Sequence, residues 1–288
     1  MKRLIFSAVV LVMVVCNALA ATPDSVRYHH YDTDTATVNN ILEKTRAANL
    51  ATPAERVVFI AKQFVGTPYK AATLEYDEEL LTVNLSQMDC TTLVENVIAL
   101  AGTAAVDTAT IDDFVAKLQN IRYRNGVVDG YASRLHYSSD WVADNVKRGN
   151  LVEVTGKFPA AVKQSKRLDY ISTHSRDYQA LREDTAACQQ IKDIEKQYNP
   201  CLFSYVPKNM IAAPAVQKNL KDGDILLITT STKGLDVMHM GIVVFKSSKP
   251  FLLHATTKGN VVKVDSQPLA MYLSSLKSAT GIRVVRVL

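Results

Sequence analysis

The last third of this chain changes its hydrophobic period, and that change limits the folds open to it. Residues 225–229, 239–245, 251–255, 261–264 and 282–287 are short runs rich in Val, Ile, Leu and Phe, separated by turn residues. Such runs predict an antiparallel meander of strands. The first half is spaced as helices instead. Residues 35–50 have helical spacing, and a second helix has a full start signal: Thr52 as cap, Pro53 at the first helical position and Glu55 three residues after the cap. Helices followed by strands predict an α+β fold, with N-terminal helices packed on a C-terminal antiparallel β-sheet.

Other elements follow from local signals. Asp89 caps a helix that begins at Cys90, carries Leu93, Val94, Val97, Ile98 and Leu100, and is expected to stop at Gly102. Thr110 with Asp113 opens another. Residues 121–137, with Asn125-Gly126 as a turn signal, are expected to form strand and hairpin, and residues 139–148 a short helix stopped by Gly149. Residues 175–198 are polar and helical in spacing, part of an insertion around 160–200. The division expected is a signal peptide over 1–20, a lead-in and helix over 21–50, and a catalytic domain over 51–288.

The start of the chain sets the compartment. Lys2 and Arg3 precede an apolar run from Leu4 to Val15, and Ala18-Leu19-Ala20 supplies small residues for cleavage. These are the three parts of a secretory signal, and the apolar run is short of the ~20 residues of a membrane span. Val15 is β-branched where a lipid-modified Cys16 needs a small neighbour, so a periplasmic or secreted product is expected ahead of a lipid-anchored one. No later stretch is apolar enough to span a membrane. Loss of Lys2 and Arg3 lowers the formal charge from +5 to +3, and the scattered basic residues do not form a nucleic-acid footprint.

Cysteine usage then singles out one residue. Without Cys16 the chain keeps Cys90, Cys188 and Cys201, an odd number for an oxidising compartment. Cys188 and Cys201 are close in sequence and are the expected disulfide pair, which leaves Cys90 free. A thiol in the first turn of a helix meets unsatisfied amides and the positive end of the dipole, which favour thiolate. A nucleophilic cysteine also needs a base and a third group to fix it. His239 and His254 stand on consecutive predicted strands, about 4.8 Å apart in the sheet, so their rings can meet on one face. Gly241 permits close backbone approach beside them. Taken singly, a strand histidine or a helix cysteine is more often packing than chemistry. Together they describe a Cys-His-His site. No C-x-x-C or H-E-x-x-H pattern appears, and no metal or cofactor is implied.

Asp89-Cys90 opening a helix, Asp222-Gly223-Asp224-Ile225 entering a strand, His239-Met240-Gly241-Ile242-Val243 and Leu253-His254-Ala255 resemble the NlpC-type papain-like cell-wall hydrolases. Gly66-Thr67-Pro68-Tyr69 also fits that superfamily. Thr91-Thr92-Leu93-Val94-Glu95-Asn96 after the cysteine departs from its usual serine and glycine, and Lys70-Ala71-Ala72 replaces a Trp-Gly-Gly run. With His136-Tyr137-Ser138-Ser139-Asp140-Trp141 and Gly234-Leu235-Asp236, those segments are similar to an N-acetylmuramoyl-L-alanine amidase-like branch. The resemblance covers about residues 53–288. It implies a papain-like fold, Cys90 as nucleophile, His239 as base and His254 as orienting residue. It also implies cleavage between N-acetylmuramic acid, in its 1,6-anhydro form, and L-alanine of peptidoglycan fragments. The alternatives are a D-glutamyl-diaminopimelate endopeptidase of the same superfamily and a non-catalytic wall-binding module. Tyr69, Arg134, Tyr137, Asp140 and Trp141 are the candidate substrate contacts, because polar and aromatic groups cluster there.

Overall fold

A computed structural model describes residues 26–288; the signal peptide expected over 1–20 and the start of the lead-in lie outside the described residues. The first half consists of helices α1 (Tyr31–Ala47), α2 (Pro53–Gln63), α3 (Cys90–Thr103), α4 (Ile111–Arg122) and α5 (Ser138–Lys147). A short parallel pair, β1 (Val26–Tyr28) and β2 (Leu81–Val83), lies among them. The middle holds β3 (Leu151–Glu153), β4 (Val162–Lys166), α6 (Tyr170–Thr173), α7 (Thr185–Tyr198), β5 (Cys201–Pro207) and α8 (Pro214–Gln217). The last third is β6 (Ile225–Thr230), β7 (Val237–Lys246), β8 (Lys249–Thr256), β9 (Val261–Val264), α9 (Leu269–Ser275) and β10 (Ala279–Val287). The protein is α+β: the strands other than β1 and β2 form one eight-stranded antiparallel sheet.

Sheet order is β4-β5-β10-β6-β7-β8-β9, with β3 also on β10. The final strand therefore folds back beside β6 and does not extend the meander. The central strands are continuous apolar runs because both faces of the sheet are covered. Ile225, Leu227, Ile242, Val244, Leu253 and Ala255 pack with the helices of the first half. Their neighbours Leu226, Ile228, Val243 and Leu252 pack on the other face with Val216, Leu269 and Leu273 from α8 and α9. α3 is the centre of the helical side: Leu93, Val94, Val97, Ile98 and Leu100 are all buried, each contributing about 1.5–3 kcal/mol. Its apolar content carries it through Gly102 to Thr103.

Three other expectations are corrected. Residues 121–137 form no hairpin. The 3–4 spacing of Phe114, Val115, Leu118 and Ile121 keeps α4 helical to Arg122, and only an isolated bridge joins Tyr123 to Arg134. The insertion is not only helical, since β4 and β5 pair with each other and β5 joins β10. Cys188 and Cys201 do not pair. Both lie in one small apolar cluster, but the Cys188 thiol donates to the Leu181 carbonyl at 3.2 Å, whereas Cys201 meets the Ser139 side chain.

Gly241 has a structural reason. A Cβ there would lie 2.8 Å from the Leu253 carbonyl oxygen and 3.0 Å from the Cβ of His254, so β7 and β8 approach closely only because this residue lacks a side chain. Gly241→Ala is expected to cost about 1–3 kcal/mol as an overpacking change, read as a lower urea midpoint. An unchanged midpoint would contradict the close approach.

Candidate active site

Asp89 builds the start of α3. Its Oδ1 accepts from the Thr92 N–H at 2.8 Å, while its own N–H donates to Thr92 Oγ1 at 2.9 Å. That capping box fixes Cys90 in the first turn. The sheet supplies the other half of the junction. The β7–β8 ladder runs from Lys246↔Lys249 to Ile242↔Leu253, and beyond that point β8 continues with β9. α3 packs against both strands. Where they part, the Met240 main chain hydrogen-bonds the Cys90 sulfur.

The residue before Met240 is His239. Extending the ladder puts Gly241 opposite His254 and His239 two residues further along, a diagonal pair within reach of ring side chains. His239 Nε2 lies 2.7 Å from His254 Nδ1, and the rings meet edge to face. His239 is half-buried and His254 fully buried. Behind His254, the Asp265 carboxylate lies 3.6 Å from Nε2, and the Tyr272 ring of α9 packs edge-on at 5.1 Å. Tyr69 is pinned beside the thiol: its N–H donates to the Asn260 carbonyl, the Lys70 N–H donates to the Met88 carbonyl, and the Met88 N–H donates to the Pro68 carbonyl. Burial raises the Tyr69 pKa, and the Cys90 charge adds to the rise.

Burial pushes the Cys90 thiol up to about 11, with the Asp89 carboxylate adding to the rise. Bonds from the Met240 main chain, the Thr91 side chain and its own main chain oppose this only in part. The thiolate expected from a helix start is therefore not the resting form, because burial and the capping carboxylate outweigh the local donors. Burial lowers His239 to about 3, with His254 as the second cause. Burial also lowers His254, to about 4, against the pull of Asp265. At neutral pH the resting group is a thiol beside two neutral imidazoles.

Residues 59–282 match the family model described as AmiA-like, N-acetylmuramoyl-L-alanine amidase-like. The chain belongs to this AmiA-like family. The fold is similar to that of an N-acetylmuramoyl-L-alanine amidase from Bacteroides uniformis, with TM-score 0.77 and 37% identity over 83% of this chain and 100% of the other. A Bacteroides fragilis protein provisionally named a xylanase gives TM-score 0.74 and 41% identity over 79% of this chain and 98% of the other. A Legionella pneumophila protein shares the fold at TM-score 0.69 with 21% identity, over 90% of this chain and 95% of the other. No curated protein sequence matches the chain.

In this AmiA-like chain a cavity of about 210 Å³ adjoins Cys90 on both sides in sequence, through Asp89 and Thr91. Arg134 lines it, together with Glu75, His136 and, from the insertion, Ile171 and Tyr178. Arg134 is held by Glu75 at 2.8 Å and Glu79 at 3.1 Å. Of the other candidate contacts, Tyr69 flanks the thiol, but Tyr137, Asp140 and Trp141 are placed in the core. Tyr137 donates to Glu195 at 2.7 Å and accepts from the Ile171 N–H. Asp140 is ion-paired to Arg124, and Trp141 is 1% exposed. An aromatic and polar cluster in sequence is here the cap and inner face of α5. Asp265, Tyr272 and Tyr178 carried no motif, and Glu75 only closed the Lys70–Glu75 segment of the family resemblance; Asp265 could be sought only as a carboxylate directly after the run 261–264.

The neutral histidines make a pH prediction. Unfolded, each takes up a proton near 6.5. Folded, His239 and His254 resist it until about 3 and about 4, and His136 is also held well below its usual value by burial. Acidification below 6.5 therefore favours the unfolded chain, by about 1.4 kcal/mol per pH unit for fully buried His254 until its folded value is reached. The melting temperature is expected to fall between about pH 7 and about pH 5, and His254→Gln to flatten that slope. An equal slope in the variant would contradict the burial account.

Proposed function

We propose that this chain is a cysteine amidase with a papain-like, NlpC-type site, cleaving the amide between N-acetylmuramic acid and L-alanine in peptidoglycan fragments. The observation that carries it is the half-buried thiol on the first turn of α3, bonded to the strand residue that follows His239, with His239 held by His254. Membership of the AmiA-like family and the name of the Bacteroides uniformis relative support the bond chosen. The 1,6-anhydro form is the preferred sugar, and the periplasm the site of action after removal of residues 1–20.

In this reading His239 accepts the Cys90 proton as sulfur attacks the lactyl amide carbonyl, so the nucleophile is made during the encounter. The oxyanion is met by main-chain N–H groups at the start of α3. His239 then gives its proton to the leaving L-alanine nitrogen, the C–N bond breaks, and a thioester to Cys90 remains. Water, deprotonated by His239, attacks that thioester and releases the muramic acid carboxylate and the thiol. His254 orients the base throughout. Tyr69, beside the thiol, and Arg134, which lines the cavity flanked by Asp89 and Thr91, are the substrate contacts of this proposal.

A glycosidase reading, suggested by the Bacteroides fragilis name, asks for an acid and a second carboxylate flanking a sugar bond. The cavity's carboxylates are otherwise engaged: Glu75 with Arg134, Glu95 with Arg122, and Asp89 with the helix cap.

The test is mass spectrometry of a digest containing both anhydro and reducing muropeptides. Release of intact peptides beginning with L-alanine, faster from anhydro forms, is expected. Cys90→Ala should lose turnover by ~10³-fold or more while keeping the wild-type circular dichroism. Fragments cut after D-glutamate would replace the amidase with an endopeptidase, and undiminished cleavage by Cys90→Ala would remove the cysteine mechanism.

A further inference from the structure

Behind the histidine pair lies a carboxylate to which the mechanism above gives no part. Asp265 follows β9 and is buried. Its Oδ1 accepts from the Gln267 N–H at 2.8 Å, and its Oδ2 lies 3.6 Å from Nε2 of His254. That nitrogen has no hydrogen-bond partner among the described residues, while the other nitrogen of the ring meets His239. The groups acting on His254 are His239 from β7, Lys263 of β9, Asp265 and Tyr272 of α9. The Lys263 amine donates to the Lys258 carbonyl instead. Asp265 is the acceptor on the Nε2 side.

We propose that Asp265 is the positioning residue that sets the tautomers of both histidines; the inference rests on reading Cys90 as nucleophile and His239 as its base. A neutral imidazole carries one N–H and one lone pair. An ionised carboxylate only accepts, so at 3.6 Å it favours the proton on Nε2 of His254 and disfavours a lone pair there. Nδ1 of His254 is then an acceptor, and His239 must donate to it from Nε2. The lone pair of His239 consequently stands on Nδ1, the ring nitrogen not engaged with His254, and is available for a proton. In the opposite assignment His254 donates from Nδ1, and His239 carries its proton on Nδ1 and cannot act as base. Both assignments satisfy the 2.7 Å contact. The carboxylate is what distinguishes them. It also faces the positive charge that develops on the pair when His239 takes the thiol proton.

Asp265→Asn keeps the shape and the acceptor for Gln267 but offers His254 an N–H in place of an acceptor, which reverses the chain of tautomers. The expected result is a kcat lower by ~10²-fold or more, by analogy with the loss of a carboxylate behind a catalytic histidine, with KM and the melting temperature near wild type. Nitrogen-15 spectra of histidine-labelled protein should show His239 and His254 both protonated on Nε2 in the wild type and both on Nδ1 in the variant. Near-wild-type kcat in Asp265→Asn, or lower kcat with unmoved tautomers, would overturn the assignment. If the variant does not fold, the wild-type spectrum still decides: His254 protonated on Nδ1 sinks it. Activity surviving in Cys90→Ala would instead remove the nucleophile reading, whereas an inactive Cys90→Ala with a fully active Asp265→Asn removes only the role of Asp265.

Discussion

The contact between the first turn of α3 and the point where β7 leaves β8 organises the candidate site. Asp89 fixes the turn from the helix side, and Gly241 lets the strands come close enough before they part. Met240, freed of β8, bonds the Cys90 sulfur, and His239 and His254 meet across the same divergence. The burial of α3 and of both sheet faces holds these pieces in register. A shift of one residue in β7 would turn His239 to the opposite face of the sheet.

The same burial decides the chemistry. A helix start favours thiolate, but here desolvation and the nearby Asp89 carboxylate win, and the thiol stays protonated at neutral pH. Burial likewise keeps both histidines neutral. The thiol and both imidazoles thus rest uncharged, and His239 is left to accept the thiol proton when substrate arrives. Such an arrangement avoids holding a charged pair in a partly dry site, where desolvation is costly. It places the demand on proton transfer, and so on which nitrogen of each ring carries hydrogen.

Much of this was legible in the residues. The Thr52-Pro53-Glu55 start, the Asp89 cap and the β-branched runs are local signals, and each appears at or within a few residues of its expected place. The placing of Cys90 in the first turn of a helix and of His239 and His254 on neighbouring strands was legible, because a cap signal and short apolar, β-branched runs mark those elements without knowledge of the whole fold. The partners that depend on long-range packing were not. Tyr272 reaches His254 from a helix whose sequence announces no role, and Arg134 is held by Glu75 and Glu79 from a distant loop. The Asn125-Gly126 turn forms, both residues at positive φ, but the hairpin expected over 121–137 does not, because the apolar spacing of α4 keeps the chain before it helical to Arg122 and only one bridge pairs the two sides. Tyr137, Asp140 and Trp141 form a polar and aromatic group that serves the core, a distinction that sequence clustering cannot make.

The measurement that tests the central claim most directly is intact-protein mass spectrometry of the chain quenched in acid during turnover of an anhydro-muropeptide. The account predicts a transient adduct whose mass is the anhydro-muramic acyl group, mapped by peptide digestion to Cys90 and absent from Cys90→Ala. An adduct carrying L-alanyl-glutamyl mass, or turnover through an adduct on any other residue, would contradict it.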